Sequence, residues 1–361
     1  MLKKNSLILI LVFFVIGLAI GKATDQYVTL NPLSNGSLPS YPYIENNAED
    51  LIHVKNQTDI ASKRNTLINY VWKDNVLPTY LPTQIEQNIS DPDFSNMENL
   101  KQIDKISVKM DHGIDSIAYL FLSENNNNKL VIYHQGHDGG FVNGKKSIEF
   151  FLKNHYSVLA FSMPLYGMNS QPVVDLENEG KIKLISHNQL SYLDSERFSS
   201  IKFFVEPIVV SLNYIDQNYK FDRYSMIGIS GGGWTTTLYS AIDTRITQSY
   251  SVAGSLPLYL RYTQSDMGDY EQTLPGLYRI ANYLDLYTMA ANGDDRKHVQ
   301  IFNKYDPCCF ANPAIDTYVN AIQLTLTNLG AGNFSVYIDD THREHKISDH
   351  ALQIILDSMK E

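Results

Sequence analysis

Ser230 stands in the segment Gly228-Ile229-Ser230-Gly231-Gly232, a G-x-S-x-G arrangement. Strand-like residues from Tyr224 to Ile229 precede it, and a helical stretch from Gly231 to about Ala241 follows at once. A serine at so sharp a strand–turn–helix junction is presented as a nucleophile. Its flanking glycines avoid collisions that a Cβ would cause, and the helix starting behind it aims backbone N–H groups at developing negative charge. The chemistry implied is acyl transfer, for which a serine hydroxyl needs a base to take its proton. A second glycine-rich stretch, His134-Gln135-Gly136-His137-Asp138-Gly139-Gly140, follows the apolar run Leu130 to Tyr133. It is not a phosphate loop. Gly139, Gly144 and Lys145 fit that pattern, but Lys146 stands where a Ser or Thr must bind magnesium.

The elements that must position these residues are legible in the hydrophobic pattern. Leu130-Val131-Ile132-Tyr133, Tyr156 to Phe161, Tyr224 to Ile229, Ile246 to Val252, Val299 to Phe302 and Phe334 to Ile338 are short runs that suit buried strands. Between them lie helical stretches at about 145–154, 198–218 (with Pro207 inside it), 231–241 and 314–327. A last helix runs from Asp349 to Met359, with Ser348 able to cap it. Strand and helix alternate from residue 129 onward, which specifies a parallel sheet covered by helices on both faces. Ahead of this, Ile103 to Leu122 reads as a hairpin turning at Asp111-His112-Gly113. Residues 168–196 and 255–280 fit no such element and read as cap-like insertions, the second rich in tyrosine. Residues 59–76 carry a weak helical pattern, and 83–100 read as irregular.

From about residue 103 onward the chain resembles the α/β-hydrolase superfamily, with Ser230 on its nucleophile elbow. The wording Gly231-Gly232-Gly233-Trp234-Thr235-Thr236-Thr237 and Ala241-Ile242-Asp243-Thr244-Arg245-Ile246 is similar to the acetyl-xylan-esterase and dienelactone-hydrolase-like branches. The resemblance implies an α/β-hydrolase fold and a Ser, acid, His chain order. Its histidine belongs in the loop before the last helix, which selects His345, with His342 and His350 as alternatives. Its acid belongs after the preceding strand, which selects Asp306, to hold the imidazole in the right tautomer. Asp339 and Asp340 are the alternatives, while Asp294 and Asp295 precede that strand and sit on the wrong edge. The oxyanion donors implied are the Gly231 N–H and one N–H from Gln135, Gly136 or His137, with His137 preferred. No cofactor and no metal is expected: His342 and His345 are three apart, but no Cys or third ligand stands with them.

Bulk composition fits this reading. The 361 residues are 43% hydrophobic with a formal net charge of −10, a balance that argues against nucleic-acid and anionic-membrane partners. Lys3 and Lys4 precede an apolar stretch from Leu7 to Ile20 that ends in small residues, so 1–23 read as a secretory signal or an N-terminal anchor. The expected layout is that leader, an N-terminal extension over 24–100 and a catalytic domain over 101–361. The protein is expected to be secreted or extracytoplasmic, with any membrane contact only through the leader. The expected substrate is a small-molecule or carbohydrate ester. A peptidase, or a noncatalytic binding protein on the same fold, is the alternative. Only two cysteines are present, the neighbours Cys308 and Cys309, so the fold must be held by its core. Four glycosylation sequons begin at Asn35, Asn56, Asn88 and Asn333.

Overall fold

Continuous apolar runs must be buried on both faces, and the computed structural model puts them at the centre of one large sheet. It describes residues 47–360 except 178 and 312. The leader read over 1–23 and the first part of the extension lie outside the described residues. The described residues belong to one compact unit. Among the described residues no helix is long and apolar enough to cross a membrane.

The main sheet has nine strands: β1 (Gln84–Glu86), β2 (Leu100–Lys109), β3 (Asp115–Ser123), β4 (Lys129–His134), β5 (Ser157–Phe161), β8 (Arg223–Ile229), β9 (Ile246–Val252), β10 (Lys297–Asn303) and β11 (Asn333–Asp339). Their spatial order is β1-β2-β3-β5-β4-β8-β9-β10-β11, and a small separate hairpin pairs β6 (Val173–Leu176) with β7 (Gly180–Lys183). β1, β2, β3 and β5 pair antiparallel in that order; every pair from β5 to β11 is parallel. The expected hairpin is β2–β3, turning through Asp111–Gly113 with His112 at φ 59° and Gly113 at φ 72°.

Among the described residues seven longer helices flank the strands: α1 (Gln57–Trp72), α2 (Lys145–Lys153), α3 (Lys202–Asn218), α4 (Gly231–Ile242), α5 (Tyr283–Ala291), α6 (Val319–Leu329) and α7 (Asp349–Lys360). Alternate strand residues share one face. Val131, Tyr133, Ile227, Ile229, Tyr250, Val252, Val299 and Ile301 form one apolar cluster with Ile148, Phe151 and Leu152 of α2 and Leu352, Ile355 and Met359 of α7. Some intervening positions are polar and partnered: Gln300 donates to the Ser255 carbonyl at 3.1 Å and accepts from Tyr318 Oη at 2.8 Å. α1 joins the same body, capped by Asn56 and Asp59 in a reciprocal box, with Arg64 Nε donating to the Ala241 carbonyl at 3.0 Å.

The structure departs from the sequence reading in several places. β1 lies in the segment read as irregular; three residues are too few to show a period. α5 was not expected at all. Every one of its residues is buried, so it has no polar face to produce a helical period. α3 begins at Lys202 rather than near 198, and α6 begins at Val319 after a short turn, Ile315–Thr317, entered through Ala314 at φ 42°.

Candidate active site

β8 runs into α4 with a single residue between them. That residue, Ser230, has φ 56° and ψ −127°, a left-handed φ that L side chains rarely adopt. Its own N–H donates to the Val252 carbonyl at 2.9 Å, which ties the bend to β9. The glycines around it are needed for close backbone approach. A Cβ on Gly228 would sit 2.1 Å from the Gly232 oxygen, and one on Gly232 would sit 2.2 Å from the His134 oxygen. Three successive threonines on the fully buried α4 satisfy their hydroxyls inside the helix: Thr235, Thr236 and Thr237 donate to the carbonyls of Gly231, Gly232 and Gly233.

The loops at the carboxyl ends of β4, β8, β10 and β11 carry the remaining candidates, the edge at which open α/β sheets collect ligands. Asp306, three residues beyond β10, and His345, between β11 and α7, meet with His345 Nδ1 2.8 Å from Asp306 Oδ2. Asp306 is further held by the Cys308 and Cys309 N–H groups on Oδ1, at 2.8 and 3.2 Å, and by Asn303 Nδ2 on Oδ2 at 3.1 Å. Burial works against its charge, but the His345 hydrogen bond and charge and the two backbone N–H groups hold its pKa below the ordinary carboxylate value. The adjacent Cys308 and Cys309 are joined by a disulfide, and their backbone N–H groups hold the acid. Among the described residues the buried His345 Nε2 has no hydrogen-bond partner, Ser230 included.

The other histidines and acids lie elsewhere. His342 Nε2 is 3.3 Å from Asp339 Oδ2. Asp339 itself accepts from Thr341 and Ser348, and Ser348 Oγ accepts the Ala351 N–H at 2.9 Å, capping α7 as expected. His350 is exposed within α7. Asp340 is exposed and lies 3.7 Å from Lys304 Nζ.

The loop after β4 passes directly against the bend: a Cβ on Gly136 would be 2.7 Å from Ser230 Cβ. Of the three oxyanion candidates there, the Gln135 N–H is already committed to the Phe161 carbonyl at 2.9 Å, which leaves Gly136 and His137. The His137 ring covers Gly231, whose hypothetical Cβ would be 2.3 Å from its Cε1. Three residues that no spacing marked, His187, Asp269 and Glu271, converge on that ring's other side. Burial disfavours a charge on His137, yet the Glu271 and Asp269 carboxylates raise its pKa above the ordinary imidazole value. Of the tyrosines in and around the second insertion, Tyr278, Tyr283 and Tyr287 are buried. Tyr278 Oη takes the Trp234 indole N–H at 2.7 Å and stacks on Tyr283, so these three pack the insertion itself.

No protein-family model matches the chain. No curated protein matches it either. Solved structures do. An acetyl xylan esterase from Paenibacillus sp. R4 superposes with TM-score 0.56 at 14% identity, covering 88% of this chain and 99% of that one. Acetyl xylan esterase 1 from Thermoanaerobacterium sp. JW/SL YS485 gives TM-score 0.54 at 12% identity, with coverage of 88% and 99%. Methylesterase BT1017 gives 0.58 at 12% identity, with 85% of this chain covered and 65% of that one. At such identities the likeness is one of fold, and it agrees with the strand order and the sharp β8–α4 bend: this chain has the α/β-hydrolase fold.

Proposed function

We propose that this chain is a serine hydrolase that cleaves carboxylic esters through an acyl-enzyme, with Ser230 as nucleophile, His345 as base and Asp306 as the acid that orients it. The observation that carries the reading is the state of His345. Its Nδ1 is engaged by Asp306 at 2.8 Å while its buried Nε2 has no partner among the described residues. A neutral imidazole that donates from Nδ1 has its lone pair on Nε2, the form required of a general base. Ser230 supplies the second support, since a left-handed φ at a non-glycine costs on the order of 1–3 kcal/mol and persists only where the surroundings impose it. Catalytic hydrogen bonds often close only once substrate is bound, so the open Nε2 is compatible with this assignment.

In the proposed reaction Ser230 Oγ attacks the ester carbonyl carbon while its proton passes to His345 Nε2. The oxyanion is received by the N–H groups of Gly231 and His137. The bond to the leaving alcohol breaks, and that alcohol takes the proton from His345. Water then adds to the acyl-enzyme with His345 again as base, which releases the acid and restores Ser230. The fold neighbours are named acetyl xylan esterases and a methylesterase, which favours a short acyl or alkyl group on a small or carbohydrate ester. Lys3, Lys4 and the apolar run from Leu7 to Ile20 support action outside the cytoplasm.

A fluorophosphonate probe tests the assignment. Wild type is expected to be labelled and Ser230→Ala not. Absence of label on wild type, or equal label on both, removes the enzyme and leaves a binding protein. A panel of acetyl, butyryl and longer-chain esters with matching peptide amides then addresses the substrate; cleavage of peptides alone would make the protein a peptidase.

A further inference from the structure

His137, His187, Asp269 and Glu271 come from three separate segments: the loop after β4, the 168–196 insertion and the 255–280 insertion. Each offers one donor atom, and the four atoms lie within 4.8 Å of one another. His137 Nε2 is 2.9 Å from His187 Nδ1, 3.3 Å from Asp269 Oδ2 and 3.5 Å from Glu271 Oε1. His187 Nδ1 is 3.6 Å from Asp269 Oδ2 and 3.5 Å from Glu271 Oε1. A tetrahedral zinc ion with ligand bonds of about 2.0–2.2 Å sets its donors about 3.3–3.6 Å apart along each edge. Four of the five distances fall in that range; the fifth, 2.9 Å between the two imidazoles, is a hydrogen bond that a bound ion would replace.

Two further observations point to a cation. His187 is fully buried, and its Nε2 lies 2.9 Å from the Pro164 carbonyl oxygen. A carbonyl only accepts, so Nε2 carries a proton toward it, and Nδ1 is the ring nitrogen that faces the cluster. A backbone carbonyl on the far nitrogen is the usual support of a metal-bound histidine. Glu271 is also fully buried, and neither of its carboxylate oxygens accepts a hydrogen bond from any described residue. The facing nitrogens, at 3.5 Å, stand well beyond the charge-assisted distance of about 2.7–2.9 Å. A buried carboxylate without hydrogen bonds is expensive; a charged His137 ring offsets one of the two carboxylates, and a divalent cation would offset both.

We propose that these four side chains bind a divalent transition-metal ion, zinc by preference, in a closed structural site. Two imidazoles and two carboxylates suit zinc, and four protein ligands leave no open position for substrate. The side chains of His137 and Asp269 are 24% and 34% exposed, which provides an entry path. The ion ties both insertions to the loop beside Ser230, where the Tyr270 N–H already donates to Asn188 Oδ1 at 2.9 Å. Because the His137 ring lies over Gly231, the metal fixes that loop against the start of α4; its role there is positioning. The assignment is independent of the ester chemistry, since its readouts do not involve turnover.

The test is elemental analysis of the full chain purified without chelator, followed by stripping and titration with Zn2+ and Co2+. About one zinc per chain is expected, together with visible d–d absorption of tetrahedral Co2+ at one equivalent. Zinc should raise the melting temperature of the stripped protein by about 5 °C. Glu271→Gln, which keeps shape and removes charge, and Asp269→Asn, at the more exposed ligand, should each lose the cobalt spectrum while keeping the wild-type circular dichroism. Protein that carries no metal, gives no cobalt bands and does not shift with zinc overturns the proposal. So does an unchanged cobalt spectrum in both variants.

Discussion

At the scale of single residues, the Asp306 carboxylate has two duties that one substitution separates. Oδ1 receives the N–H groups of Cys308 and Cys309, and Oδ2 faces His345 Nδ1 and Asn303 Nδ2. In Asp306→Asn the amide oxygen can keep the two backbone N–H groups, so its NH2 must face His345 and the Asn303 Nδ2 hydrogen bond is given up. Nδ1 then becomes the acceptor and the proton moves to Nε2, the wrong tautomer for a base. The expected result is a loss of roughly 10³–10⁴-fold in kcat with little change in folding. Ester kinetics beside circular dichroism check it, and retention of near wild-type turnover would dissociate Asp306 from the reaction. His342 provides the contrast, because its neighbour Asp339 is occupied with Thr341 and the α7 cap. His342→Gln should leave turnover at the wild-type level, and a collapse there would move the base from His345 to His342.

At the scale of elements, the approach of α4 to the sheet is set by absent side chains. A Cβ on Gly232 meets the His134 carbonyl at 2.2 Å, and one on Gly233 meets Gly254 Cα at 2.9 Å. Backbone atoms cannot swing aside as a side chain does, so the helix must retreat or β4 must shift. Gly232→Ala is therefore expected to cost more than about 2 kcal/mol, read as a lower urea midpoint. Unchanged stability would mean that α4 does not sit this close to β4. The same packing explains what could be read from the chain. Strands such as Tyr224 to Ile229 are dense apolar runs between polar loops, and their observed ends lie within two or three residues of the expected ones. Ser230 was legible because elbow, strand and helix are contiguous. The candidates Asp306 and His345 needed the chain order of the superfamily the sequence resembles, since 76 and 115 positions separate them from the serine. His187, Asp269 and Glu271 carried no signal. They reach His137 only once two insertions without hydrophobic period have folded over the sheet edge, and α5 went unread because burial on all sides erases a helix's period.

At the scale of the whole molecule, stability should depend on pH through a buried imidazole on β10. His298 is fully buried, with Nδ1 2.8 Å from Ser249 Oγ and its ring stacked with Tyr287 and Phe334. Burial first, and the nearby Arg296 charge second, hold its pKa at about 3 in the folded protein. The unfolded chain offers an ordinary imidazole with a pKa of about 6.5. Between those values the unfolded state binds a proton that the folded state refuses. Stability is thus fully present above about pH 6.5 and drains away as pH falls toward 3. From pH 7 to pH 5 this one group should remove about 2 kcal/mol of unfolding free energy. His298→Phe retains an aromatic ring between Tyr287 and Phe334 and cannot be protonated. Urea unfolding of both proteins at the two pH values isolates the contribution, because all other titrating groups are common to them. The variant's loss on acidification should be smaller than that of wild type by about 2 kcal/mol, whatever its stability at pH 7. Equal losses would mean that His298 takes up its proton as readily in the folded chain as in the unfolded one, and that β10 is open to water at its centre.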